Sequence, residues 1–341
     1  MSSSRKGILA AGNFIIDHVK IIDAWPDQDM LANIRAETTA NGGGPYNVLK
    51  DLSRMQVGYP LEALGLVGMD NHGEWIINDC KAAGINTSQL QQTPAAPTSY
   101  TDAMTVSVTG RRTFFHQHGA NALLGEPHFD FNKTQARILH LGYLMLLNEM
   151  DRILPDGRTV ASRVLESAQK AGLQTTVDIV STEHPDYKRI ALAALPYTDY
   201  LIINEIEAGK ILERPLRSVY GDIDVSAAAD AARTLMSKGV RNQVIIHFAE
   251  GAVAADSRGS VCRQGSLQLP EGFVVGATGA GDAFAAGYLH ALHEGWSIER
   301  SLELAICTAA ACLSDATPSG GLRPIQSCLD YLTEMPVRGL W

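Results

Sequence analysis

The stretch Val274–His290, V-V-G-A-T-G-A-G-D-A-F-A-A-G-Y-L-H, decides how the chain is read. The apolar run Phe273-Val274-Val275 predicts the end of a buried strand; a Gly-rich turn follows, and a helical pattern begins at Asp282. Phe284, Tyr288 and Ala291 share one stripe and Ala285, Leu289 and Leu292 the stripe beside it, giving the helix a broad buried face that Gly295 closes. Its N-terminus is the chemically informative end. The first turn of a helix leaves amides unpaired and carries partial positive charge. Gly279 and Gly281 let that backbone wrap closely round a phosphate. Asp282 then has two readings: an acid capping a Gly-rich turn, or a general base beside an anion site, which suits phosphoryl transfer to an alcohol. The turn lacks the G-K-[ST] ending of a Walker loop and the G-x-G-x-x-G of a dinucleotide fold.

Thr278–Phe284, T-G-A-G-D-A-F, resembles the second signature of the ribokinase-like, or PfkB, family of carbohydrate kinases. The resemblance implies that the amides of Gly279, Ala280 and Gly281 form an anion hole, that Asp282 deprotonates the acceptor hydroxyl, and that Thr278 faces the nucleotide.

Whole-chain properties bound the reading. With 341 residues, 45% of them hydrophobic, the chain can bury a large core, in one large or two ordinary domains. A net charge of −9 argues against nucleic acid or an anionic membrane surface as the main partner. No apolar run is long enough to span a membrane, and Met1–Gly7 lacks the apolar core of a signal peptide, so the expected location is cytoplasmic. Cys80, Cys262, Cys307, Cys312 and Cys328 form no C-x-x-C pair, and their odd number suits buried, reduced thiols.

Gly7–Asp17 reads as a buried first strand ending on Asp17, where the family holds sugar hydroxyls; a carboxylate accepting from two vicinal hydroxyls is a sound reason for it. The stretches 21–39 and 99–118 break the helical rhythm, and the second has a hairpin pattern around Thr109-Gly110-Arg111. The resemblance implies a β lid there, over approximately 18–40 and 98–118, and leaves a homodimer through that lid open. Asn41–Met55 is a Gly-rich loop entering a helix and resembles the family's first signature, which assigns Gly42, Gly43 and Asn47 to the substrate. Gly44 stands where the ribokinase version has a Lys, and Pro45 resembles the fructokinase type. Asp70 and Gly73, within G-M-D-N-H-G-E, shape a turn. His116 and His118 alternate onto one face of the hairpin with no acid or Cys spaced to complete a zinc site. Gly119-Ala120-Asn121 resembles a turn that touches the sugar and adds Asn121 to the substrate residues.

Beyond it, apolar strands near 138–147, 175–180, 200–203 and 244–248 alternate with helices, predicting a parallel α/β sheet covered on both faces. With the resemblance, the expected fold is a ribokinase-like three-layer α/β domain spanning 1–341, with a mainly parallel sheet and a small β lid. Ligands of such sheets lie beyond the carboxyl ends of the strands, where Asp17, Asn204 and the Gly276 turn fall.

Asn204 and Glu207 fit a helix cap with first-turn acids. They also resemble the family's N-x-x-E motif, which places Asn204 by the nucleotide and Glu207 on Mg2+ through water. Gly251, Cys307 and Ala310 complete the implied nucleotide site, although the Ala249-Glu250-Gly251 turn is about one residue shorter than in relatives. Gly276 replaces an Asp that helps relatives bind a monovalent cation, so activation by that cation is in doubt. The resulting expectation is an ATP-dependent sugar kinase using Mg2+; a nucleoside kinase, and a sugar- or nucleotide-binding protein without turnover, are the alternatives.

Overall fold

The computed structural model describes residues 5–340. The reading of Met1–Gly7 rests partly on Met1–Ser4, outside that range, as is Trp341. In chain order the strands are β1 (Ile8–Gly12), β2 (Ile15–Ile22), β3 (Ile34–Gly42), β4 (Leu61–Gly68), β5 (Asn86–Thr93), β6 (Tyr100–Val106) and β7 (Arg112–Gln117). They continue with β8 (Ile138–Leu144), β9 (Gln174–Ile179), β10 (Tyr200–Asn204), β11 (Gln243–Phe248), β12 (Gly251–Asp256) and β13 (Val261–Gly265). Nine form one sheet in the order β13-β12-β11-β10-β9-β8-β1-β4-β5, and β3-β2-β6-β7 form a second. The large sheet is parallel from β5 to β11, and β12 and β13 extend it antiparallel.

Alternation along the strands divides the core in two. Leu9, Ala11, Leu139 and Leu141 pack on one face with the helices Val160–Lys170, Tyr187–Ala194 and Val225–Ser237. Ile8, Ala10, Ile138 and Ile245 pack on the other with Gly44–Arg54, Ala280–Glu294 and Ile298–Leu313. Three layers result, the architecture expected for parallel strands buried on both faces. Among the described residues no helix is long and apolar enough to cross a membrane.

Two sequence expectations are corrected. Gly7–Asp17 is not one strand: the chain leaves the large sheet after Gly12, and Asp17 lies in β2 of the small sheet, opposite Thr101 of β6. At that exit Gly12 has φ 127°, and a Cβ there would lie 1.8 Å from the Gly142 carbonyl oxygen. Phe273–Val275 is not a strand either. β13 ends at Gly265, the chain crosses to the next helix through Pro270 and Gly272, and Val274 and Val275 stay 53% and 61% exposed, Val274 at the rim of a cleft.

The helix Ala280–Glu294 begins after Gly279 and ends at Gly295, both left-handed, with φ 83° and 73°. It packs against Ile298–Leu313 at close range, and Gly287 permits the approach. A Cβ at Gly287 would lie 2.3 Å from Thr308 Oγ1 and 3.0 Å from Ala305 Cα. We expect Gly287→Val to destabilise the protein by about 1–3 kcal/mol through overpacking. A urea midpoint lowered at unchanged slope would show it; an unchanged midpoint would mean that the two helices separate without loss.

Candidate active site

Asp282 sits in the first turn of Ala280–Glu294 and is buried. Its side chain does not cap the helix. Oδ2 accepts from Asn47 Nδ2 at 2.8 Å and Oδ1 accepts from the Tyr143 hydroxyl at 2.5 Å. The intrahelical ladder starts with Ala283 N donating to Gly279 O at 2.8 Å, so the amides of Ala280, Gly281 and Asp282 have no intrahelical acceptor.

This helix start separates two cavities. One, of about 680 Å³, lies under the small sheet and is lined by Asp17, Gly43, Asn47, Tyr143, Asp178, Asn204, Glu207 and Thr278–Asp282. The other, of about 640 Å³, is more apolar, with Leu267, Val274, Phe284, Ile306, Ala309 and Ala310 among its walls. His247, Ala277, Ala280 and Gly281 line both. An anion bound to the free amides would therefore lie at the junction.

Three buried carboxylates and the half-buried Asp17 crowd the first cavity. Burial pushes Asp282 up to about 6, against the lowering effect of hydrogen bonds from Asn47 and Tyr143. Burial, then the charge of Asp282, pushes Asp17 up to about 7. Burial also raises Glu207 to about 7, and it raises Asp178 with help from Glu207 and Asp282. Asn204 and Glu207 form a capping box: Asn204 Oδ1 accepts from the Ile206 and Glu207 amides at 2.9 Å, and Glu207 Oε2 accepts from Asn204 N at 2.8 Å. Both also line the cavity, so capping does not exclude a ligand role. No group of three or more His, Cys, Asp or Glu among the described residues is arranged to hold a metal alone. Asp178 and Glu207 nevertheless suit a hard cation that keeps its waters and leans on phosphate oxygens.

Asp17, Gly43, Asn47, Asn204, Glu207 and Thr278–Asp282 thus converge on the first cavity, and Gly251 and Ala310 on the second. Thr278 lines the first cavity and not the second; its hydroxyl receives the Arg112 guanidinium from β7. Gly42, Asn121 and Cys307 line neither. A Cβ at Gly42 would fall 2.4 Å from Asp17 Oδ1, so this glycine makes room for the carboxylate. Asn121 is fully buried and donates from Nδ2 to Phe14 O at 3.3 Å, beneath the site. Cys307 is fully buried because its helix turns Ile306, Ala309, Ala310 and Leu313 to the cleft, the i, i+3, i+4, i+7 stripe.

The sequence reading missed Tyr143, Asp178 and Arg112. Tyr143 hides within the apolar run of β8, and its one signal is Gly44, where a Cβ would come 2.7 Å from the tyrosine ring. At Gly276 a Cβ would lie 2.7 Å from Asp315 O, so backbone fills the space in which relatives would place a side chain. Ala249 and Glu250 make a two-residue turn between Phe248 and Gly251, and Glu250 Oε1 and Oε2 each accept from Arg217 at 2.9 Å.

The model of the pfkB family of carbohydrate kinases matches residues 10–322. The chain is 26% identical over 299 residues to the ATP-dependent ribose-1-phosphate kinase of Halopiger xanaduensis, covering 87% of this chain and 88% of that protein. It is 26% identical over 300 residues to the adenosine kinase of Saccharomyces cerevisiae, covering 86% and 81%. Among solved structures, Arabidopsis thaliana ribokinase complexed with ribose and ATP superposes with a TM-score of 0.76 at 22% identity, over 96% of this chain and 99% of that one. The chain belongs to the pfkB family of carbohydrate kinases and is a phosphotransferase with an alcohol group as acceptor.

Proposed function

We propose that the protein is an ATP-dependent sugar kinase whose acceptor binds in the cavity under the small sheet and whose nucleotide binds in the apolar cleft. The observation that carries this reading is the start of Ala280–Glu294, with free amides at the junction of the two cavities and Asp282 on the acceptor side. Asp282 takes the proton of the acceptor hydroxyl; the alkoxide oxygen bonds to the γ-phosphorus as the bond to the ADP oxygen breaks. Asn47 and Tyr143 fix the carboxylate through hydrogen bonds to its two oxygens. The amides of Ala280, Gly281 and Asp282 meet charge developing on the phosphoryl oxygens, each donor contributing about 3 kcal/mol. Mg2+ travelling with the nucleotide would neutralise phosphate charge, with Glu207, Asp178 and their waters positioning it. The small sheet acts as the lid over the acceptor, and Arg112 reaches from it to Thr278 at the phosphoryl end.

A ribonucleoside is the second reading of the acceptor. Phe114 of β7, 57% exposed, lines the acceptor cavity and offers a ring on which a base could stack. The chemistry is the same in either case. Asp282, Glu207 and the free amides together speak against a binding protein without turnover.

ADP release with Mg-ATP and a panel of pentoses, hexoses and nucleosides tests the reading directly. Turnover on an acceptor should fall about 10²- to 10⁴-fold in Asp282→Asn; retention of a tenth of the activity would remove Asp282 as the base. The base must be ionised, so wild-type kcat/KM should rise with pH and level off above about 6, well above the ordinary aspartate value. Stability carries the opposite sign. A carboxyl whose folded value is raised stabilises the fold below its unfolded value of 3.8 and loses that contribution as pH rises through about 6. The Tm of Asp282→Asn relative to wild type should therefore climb between pH 4.5 and 7.5, in thermal melts without ligand; a difference independent of pH would mean that Asp282 is not perturbed.

A further inference from the structure

One wall of the nucleotide cleft comes from residues beyond 10–322, the span matched by the family model. Resting on the kinase reading, we propose that residues 336–340 form part of the donor-nucleotide site and that Arg338 binds the α- and β-phosphates of ATP.

Backbone pairing fixes this segment along the edge of the cleft. Gln268 N donates to Pro336 O and Arg338 N to Ser266 O, both at 2.8 Å, and Leu267 and Val337 form an antiparallel bridge between them. Two glycines permit the close approach. A Cβ at Gly265 would lie 1.8 Å from the Arg338 carbonyl oxygen, and one at Gly251 would lie 2.8 Å from Leu340 Cδ1. Gly251, expected from sequence to face the nucleotide, therefore also seats this segment. Ser266 N donates in turn to Glu250 O at 2.9 Å, which places Arg338 beside the turn leading out of β11, the strand whose His247 lines both cavities.

Charge singles out Arg338. Among the described residues that line the cleft it is the one lysine or arginine, and the acids Glu205 and Glu271 line the same cleft. Burial holds the His247 imidazole down at about 4, so it is neutral at physiological pH. Arg217 is committed elsewhere: it donates to Glu205 at 2.6 Å and to both carboxylate oxygens of Glu250 at 2.9 Å. Arg338 forms no ion pair among the described residues, and Glu250, on which its charge acts, is already engaged by Arg217. With the transferred phosphoryl group at the free amides of the junction, the α- and β-phosphates extend to the cleft side, where anions near Glu205 and Glu271 need a cation. A guanidinium offers a planar fork of donors that matches phosphate oxygens. Adenine has no call on it, because Ile306, Ala309, Ala310 and Leu313 supply an apolar wall.

The test is calorimetric titration of the full-length protein with ADP in the absence of acceptor. Arg338 is exposed, so its replacement leaves the core untouched. Arg338→Ala should weaken ADP binding about 10- to 100-fold at low salt, the effect of losing a charged hydrogen bond. That deficit should shrink at about 0.5 M NaCl, where screening weakens the contact in the wild type. Arg338→Lys keeps the charge without the fork and should fall between the two. Unchanged ADP affinity, a deficit equal at both salt concentrations, or Arg338→Lys as weak as Arg338→Ala overturns the proposal while the kinase reading stands. ADP binding that depends on Arg338 in a protein that phosphorylates no acceptor supports the proposal and overturns the kinase reading. Wild-type protein that binds no ADP overturns both.

Discussion

The first turn of Ala280–Glu294 is the constraint on which the rest of the site depends. Its free amides act on an anion only if the backbone is held rigid, and the neighbourhood of Gly279 supplies that rigidity. Gly279 is left-handed, and a Cβ there would lie 2.8 Å from Pro318 Cβ and the Pro318 carbonyl oxygen. The Cys312 thiol donates to the carbonyls of Thr278 at 3.3 Å and Pro318 at 3.1 Å, tying the turn to the end of Ile298–Leu313. Behind it, Phe284, Tyr288 and Leu289 anchor the helix in the core. Such preorganisation lets donors stabilise developing charge without reorganising during the reaction.

The same site concentrates negative charge where charge is poorly tolerated. Asp178, Glu207 and Asp282 are buried and Asp17 is half-buried, and each raises the proton affinity of at least one other or is itself raised by desolvation. A structure optimised for stability alone would replace them with apolar or neutral groups. Their presence makes sense when ligands bring the compensation: hydroxyl donors at Asp17, a proton at Asp282, and a hydrated cation near Asp178 and Glu207. The unliganded fold is strained electrostatically so that the loaded one is not.

The parallel sheet between helices and the central helix were legible because their signals are local and strong, whereas the order of the strands was not. Continuous apolar runs such as Val244–Phe248 separated by amphipathic stretches mean parallel strands under helices, and T-G-A-G-D-A-F is a compact motif. Phe273–Val275 was misread because an apolar run in a loop, with Phe273 against the core and Val274 at a cleft rim, looks in sequence like a buried strand. Asp17 was placed one strand too early, since Ile8–Gly12 and Ile15–Ile22 are both apolar and only two residues separate them. Tyr143 and Arg112 were invisible for another reason. Their roles arise from contacts across 139 and 166 residues, to Asp282 and Thr278 respectively, and nothing in their own neighbourhoods marks them.

Departures from the family signatures become intelligible once neighbours are considered together. Gly44 removes a side chain at the first signature, and the space it leaves is filled by the Tyr143 ring, whose hydroxyl donates to Asp282. Gly42, which keeps the signature, opens room for the Asp17 carboxylate. One glycine therefore sets the orientation of the base and the other the position of the proposed acceptor ligand, although neither touches a substrate through a side chain. Gly276 belongs to the same class: the backbone at Asp315 and Ala316 occupies the volume of the missing side chain, and the turn closes on itself. At Gly44 and Gly276 the missing side chain is answered by a group 2.7 Å from the absent Cβ, and at the signature residue Gly42 the Asp17 carboxylate stands at 2.4 Å. The substitution and its neighbour thus form one unit, and restoring a side chain at any of these glycines would displace a functional group or the backbone beside it.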